Sequence, residues 1–107
     1  MIDLTNIAQW ENALAQSSGI PQVIFKHSKT CPASSEMLHI LEGPSSPLDG
    51  DMYRVTVQTS QDVSDQIGRD LGVPHETPQL IIVKNRKSVY AASHDDIDLG
   101  AAAQFLR

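Results

Sequence analysis

His27-Ser28-Lys29-Thr30-Cys31-Pro32-Ala33-Ser34 contains the only cysteine of the chain. Just before it, Val23-Ile24-Phe25 is a β-branched and aromatic run that reads as a buried strand. Just after it, Glu36-Met37-Leu38-His39-Ile40-Leu41-Glu42 reads as a helix. Cys31 therefore stands where a strand hands over to a helix. Pro32 suits the first helical position, where its missing N–H would have had no intrahelical partner. Cys31 is then placed at or next to the N-cap, with the first-turn amides and the positive end of the helix dipole facing its sulfur. Such a setting favours a reactive thiolate. Elsewhere a lone cysteine reads as a small buried hydrophobe. Here, between polar residues and a proline at a helix start, it reads as a nucleophile.

Working outward, residues 4–17 carry Ile7, Trp10 and Leu14 at the i, i+3, i+7 spacing of one helix face. Thr5 or Asn6 is positioned to cap that helix, and Gly19 with Pro21 to end it. Residues 22–27 are the first strand and 32–42 the helix behind Cys31. Gly43-Pro44-Ser45-Ser46-Pro47 is a turn cluster. The second strand runs within Asp51 to Val57. A third helix begins at Ser60, shows Val63, Ile67 and Leu71 on one face and closes at Gly72. Gln79 to Val83 and Ser88 to Ala92 are two strands joined by a turn at Asn85. Asp98 is placed to cap a last short helix. The predicted order is α-β-α-β-α-β-β-α over residues 1–107, a single α/β domain with a central four-stranded mixed sheet. Strands joined by helices are expected to pair in parallel, and the closing hairpin to add antiparallel strands.

Composition narrows the function. The formal net charge is −5, and the only basic cluster, Lys84, Arg86 and Lys87, flanks a turn, so nucleic acid is not an expected partner. No run is apolar for long enough to span a bilayer, and the first residues lack a signal-peptide pattern. One cysteine allows no internal disulfide and fits a reducing, cytoplasmic setting. His27, His39, His75 and His94 show no ligand-pair spacing with each other or with Cys31, so no metal is expected. Asp95-Asp96-x-Asp98 reads as a helix cap and not as a calcium loop.

The element order, with a cysteine at the start of the helix after the first strand, resembles the thioredoxin fold. In that fold a cis proline precedes the third strand beside the active-site sulfur, and Thr77-Pro78 stands at that place here. Four blocks are similar to the YtxJ-type monothiol bacilliredoxins and come in the same order. These are Ser28-Lys29-Thr30-Cys31-Pro32-x-Ser34, Tyr53-Arg54-Val55-x-Val57-Gln58, Gly72-Val73-x-His75-Glu76-x-Pro78-Gln79 and Ala91-Ala92-Ser93-His94. The resemblance implies reduction of mixed disulfides between proteins and the low-molecular-weight thiol bacillithiol, a co-substrate and not a tightly bound cofactor. The implied partners are S-thiolated client proteins. Cys31 is then the nucleophile, with Thr30, Pro32, Ser34, Thr77 and Pro78 expected to contact substrate.

Two departures from ordinary thioredoxins stand out. Ser34 occupies the place of a second cysteine, so Cys31 has no resolving partner within the motif. Phe25, six residues before Cys31, replaces a buried acid. Lys29 and His27 are expected to supply positive charge or accept a proton, and His75 and His94 to line the groove or to be ordinary loop histidines. Two alternatives stay open. One is a non-catalytic thioredoxin-like module that docks proteins beside Pro78. The other is an iron–sulfur-sharing, monothiol glutaredoxin-like role, against which Pro32-Ala33-Ser34 replaces the Gly-Phe-Ser of those proteins.

Overall fold

The computed structural model describes residues 1–107. In chain order its elements are β1 (Ile2–Asp3), α1 (Ile7–Gln16), β2 (Gln22–His27), α2 (Pro32–Glu42), β3 (Asp51–Thr56), α3 (Gln61–Leu71), β4 (Gln79–Lys84), β5 (Lys87–Ser93) and α4 (Leu99–Ala103). Single 3-10 turns flank α4 at His94–Asp96 and Gln104–Leu106.

Local chemistry explains most boundaries. The Asn6 side chain accepts the Gln9 N–H, and the Asp98 carboxylate accepts the Ala101 N–H, so α1 and α4 each begin on a capping side chain. Gly72 ends α3 in the left-handed region at φ 67°, where a Cβ would be strained. Asn85 and Arg86, at φ 51° and 63°, form the two central residues of the β4–β5 hairpin turn.

The sheet order is β1-β3-β2-β4-β5. β2 is central, parallel to β3 and antiparallel to β4. Two sequence expectations are corrected here. The sheet has five strands rather than four, because Ile2 and Asp3 pair in parallel with Tyr53 and Arg54. Helix α1 starts at Ile7, directly after Asn6, one of the two caps the sequence offered, and Leu4 is a buried core residue outside it. The second correction concerns β3 and β4. They are joined by α3 but do not pair, and β4 instead runs antiparallel beside β2.

Successive residues of a strand point to opposite faces, and β2 serves two cores in this way. Ile24 packs with Trp10, Leu14, Val55, Val63 and Ile67 on the α1/α3 face. Val23 and Phe25 pack with Leu41, Leu80, Ile82 and Ala102 on the α2/α4 face. The Trp10 Nε1–H donates to Asp70 Oδ2 at 2.8 Å and pins α1 to α3. With strands on both edges and helices on both faces, every residue of β2 is buried, including Gln22, Lys26 and His27. The β2–α2 junction carrying Cys31 thus rises from the most enclosed strand of the sheet.

Candidate active site

Cys31 is the N-cap of the eleven-residue helix α2, with extended backbone (φ −104°, ψ 111°) and Pro32 directly after it. Its C=O accepts the Ser35 N–H at 3.1 Å, and its side chain makes no capping bond. The thiol is free and partly exposed. The helix behind it begins at Pro32, and the first-turn amides next to Cys31 have no intrahelical partners.

The loop between β2 and Cys31 is braced from two directions. From the turn after β3, Gln58 Oε1 accepts the Lys29 N–H at 3.0 Å. Gln58 Nε2 donates to Ser28 Oγ at 2.8 Å and to Thr30 Oγ1 at 3.4 Å. From α2, Ser34 Oγ accepts the Ser28 N–H at 3.0 Å and lies 2.8 Å from His27 Nδ1. Ser34 is fully buried, so its hydroxyl hydrogen needs an acceptor inside the protein. His27 Nδ1 is the acceptor within reach, which leaves the ring proton on Nε2.

Burial, with help from the nearby Arg54 charge, pushes the His27 imidazole below its ordinary value. His27 is therefore neutral at pH 7. Of the two expected roles, positive charge or proton acceptance, a neutral ring does not fit the first, and its Nδ1 is taken up by Ser34. The same contacts correct the placement of Ser34, which presents no surface to a substrate and secures the loop from inside. Lys29 and Thr30 are exposed on the loop itself, and so is Pro32 at the start of α2.

The Thr77–Pro78 peptide bond is cis, Pro78 is buried and Thr77 is half-buried. The Pro78 C=O accepts the His94 N–H at 3.0 Å. Pro78 and Ala33, two residues past Cys31, line one cavity of about 290 Å³ together with Met37, Ile40, Glu36 and His94. The structure thus brings the Cys31 helix and the Pro78 loop onto a common groove. His94 belongs to that groove and pairs with Glu76 at 3.0 Å on the surface. His75 lies elsewhere, bonded to Ser64 Oγ at 3.0 Å, and it lines a different cavity with Gly68 and Gly72 of α3.

Two residues escaped the sequence reading. Gln58 appeared there only as part of a family-like block, and nothing local marks its grip on residues 28–30. Lys26 is wholly buried, its Nζ donating to the Ser64 C=O at 3.0 Å, and burial lowers its ordinary value to about 8. The signal was available for Lys26, since a strand enclosed on both faces must bury its polar residues as well. No three His, Cys, Asp or Glu side chains gather in a group suited to a metal ion.

A family model described as monothiol bacilliredoxin BrxC matches residues 2–101. The chain belongs to the monothiol bacilliredoxin family. A solved structure described as having a thioredoxin fold is 32% identical to this bacilliredoxin, superposes with a TM-score of 0.82 and covers 96% of this chain and 90% of that one. Thioredoxin from Fasciola hepatica matches over 100% of both chains at 16% identity and a TM-score of 0.79. Thioredoxin from Schistosoma mansoni matches at 15% identity and 0.74, over 98% of this chain and 93% of that one. The two thioredoxins bear on the fold alone. Together the family and the fold establish a thioredoxin-like protein with a thiol redox role, and no helix is long and apolar enough to cross a membrane.

Proposed function

We propose that the protein removes a low-molecular-weight thiol, bacillithiol in this family's chemistry, from mixed disulfides on client proteins, with Cys31 as the sole nucleophile. The observation that carries this reading is a free, partly exposed thiol at the start of an eleven-residue helix, with its side chain unused in capping and no second cysteine in the chain.

The Cys31 thiolate attacks the sulfur of the small thiol in the mixed disulfide. One S–S bond breaks, one forms, and the client leaves as a thiolate that takes up a proton. Cys31 now carries the small thiol. A second molecule of that thiol, as thiolate, attacks the small-thiol sulfur of the adduct. This releases the symmetrical disulfide of the small thiol and regenerates Cys31. Electrons balance, because the free thiol supplies the reducing equivalents and the client cysteine receives them. Ser34 cannot take part in resolution, having no thiol.

In this scheme the client backbone lies along Thr77 and Pro78, with Thr30 and Pro32 bordering the sulfur. Support comes from the shared groove between α2 and Pro78. A single-turnover assay tests the reading. Reduced protein mixed with an S-bacillithiolated client should liberate one client thiol per Cys31, and Cys31→Ser should liberate none. Release undiminished in Cys31→Ser would overturn it.

A further inference from the structure

On the β3 side of the 28–30 loop, opposite the Pro78 groove, lies a second cavity of about 290 Å³ whose lining is almost entirely polar. Lys29, Arg54 and His27 line it, with Asp3, Thr56 and Ser60 among the rest. In a chain of net charge −5, three basic side chains around one small cavity form a local exception.

The donors there are free. Arg54 gives Asp3 only its Nε, at 2.7 Å, and the two remaining guanidinium nitrogens make no hydrogen bond. His27 is 7% exposed; its Nδ1 is held by Ser34, and Nε2–H makes no hydrogen bond. Ser60 is 2% exposed and caps α3, yet its side chain makes no capping bond. Two buried polar side chains, two cations and the start of an eleven-residue helix thus leave donors without acceptors around one space. Asp3, the one carboxylate in the lining, is already paired, and Glu42 acts on Arg54 and His27 from outside it.

Lys29 is two residues before Cys31, a separation of at most about 7 Å along the backbone. Its backbone N–H is fixed by Gln58. Cys31 does not line the cavity itself, so a molecule that joins the two extends past Lys29. We propose that this cavity is a carboxylate-binding subsite for the small thiol co-substrate, received by Arg54, Lys29, His27 Nε2–H and Ser60. The inference rests on the exchange reading above and adds to it a selection for acidic thiols, on the side of Cys31 away from the client.

Two measurements test it. Succinate, which has the carboxylates but no sulfur, is titrated against the protein while the His27 ring resonances are followed by NMR. Separately, the Cys31 mixed disulfide is resolved with mercaptosuccinate or with 2-mercaptoethanol, and the two rates, each per thiolate, are expressed as a ratio. Succinate should shift the His27 resonances. The ratio should favour mercaptosuccinate and fall about tenfold in Arg54→Gln, the scale of one lost charge-assisted hydrogen bond. Lys29→Gln, at an exposed position, should lower it in the same direction and covers the case in which Arg54→Gln unfolds. A His27 spectrum indifferent to succinate, with a ratio equal in wild type and both variants, would overturn the proposal. So would inorganic phosphate shifting His27 while the ratio stays equal in all three proteins, since the site would then serve a free anion. Succinate binding without any exchange at Cys31 would overturn the exchange reading, and with it the thiol as ligand, but leave carboxylate binding intact.

Discussion

Strand β2 buries two basic side chains in succession, and they meet opposite fates. Lys26 points to the α1/α3 face, where its Nζ finds one carbonyl, that of Ser64, and the attraction of Asp65. His27 points to the α2/α4 face, where Ser34 takes its Nδ1 and ties it to the loop before Cys31. Burial lowers both groups from their ordinary values. The difference is what each partner is attached to. Lys26 is bound near the start of α3, a helix that packs on the other face of the sheet from α2. His27 is bound to the first turn of the helix that starts at Cys31. Burial of a basic group is thus not itself a mark of the site; attachment to the moving chemistry is.

The sharpest way to separate the two is pH. A base whose value is lowered by folding binds fewer protons in the folded than in the unfolded chain, so stability rises with pH between the folded and unfolded values. For Lys26 that window runs from about 8 up to 10.5. For His27 it lies below 6.5, so stability falls as the pH drops through that range. Over the upper window wild type should gain up to about 3 kcal/mol from Lys26. Lys26→Met should remove that slope and leave the protein at least as stable at pH 7, since no charge is then buried. Tyr53 works in the opposite sense, its hydroxyl being raised from 10.0 by burial, but it is common to both proteins and cancels in the difference. Urea unfolding across pH measures this, and parallel curves for the two proteins would show that Lys26 is not desolvated.

On the other face, Ser34→Ala strands the Ser28 N–H and the His27 ring inside the protein. The expected loss is about 1–3 kcal/mol, the cost of buried polar groups left without partners. It should be accompanied by slower exchange at Cys31, whereas Lys26→Met should leave exchange close to wild type. A Ser34→Ala protein with undiminished stability would mean that the loop is held by Gln58 alone, from the turn after β3.

The smallest effect is expected at Asp3→Asn. The Asp3–Arg54 pair is partly exposed, and its contribution should stay within about 1 kcal/mol. Arg54 holds the Asp3 carboxyl below its ordinary 3.8, so that contribution is present above this value and fades as the pH falls through the lowered one. Acid unfolding of the variant compared with wild type reads it directly, and a difference persisting well below that range would place the effect elsewhere.

Much of this arrangement was legible in the sequence because it is local. A strand, a lone cysteine and a proline followed by a helical pattern put Cys31 at an N-cap, and Asn6, Ser60, Gly72 and Asp98 mark ends where they stand. The rest depends on residues distant in sequence. β1 is two exposed residues that become a strand only by pairing with Tyr53 and Arg54. The antiparallel placement of β4 beside β2 leaves no trace in either strand's pattern. The Lys29, Arg54 and Ser60 cavity draws on three separate stretches. Ser34 occupies the second-cysteine position of a dithiol motif, but its burial and its bond to His27 need the fold.

The central claim is that Cys31 attacks the small thiol's sulfur and carries that thiol away. Intact mass spectrometry of the protein after one turnover with an S-bacillithiolated client, quenched in acid, tests it most directly. The predicted spectrum shows the chain heavier by a single small-thiol adduct, located on Cys31 by peptide mapping, beside a client that has lost it. A chain joined by disulfide to the whole client, or one unchanged in mass beside a client still modified, would contradict it.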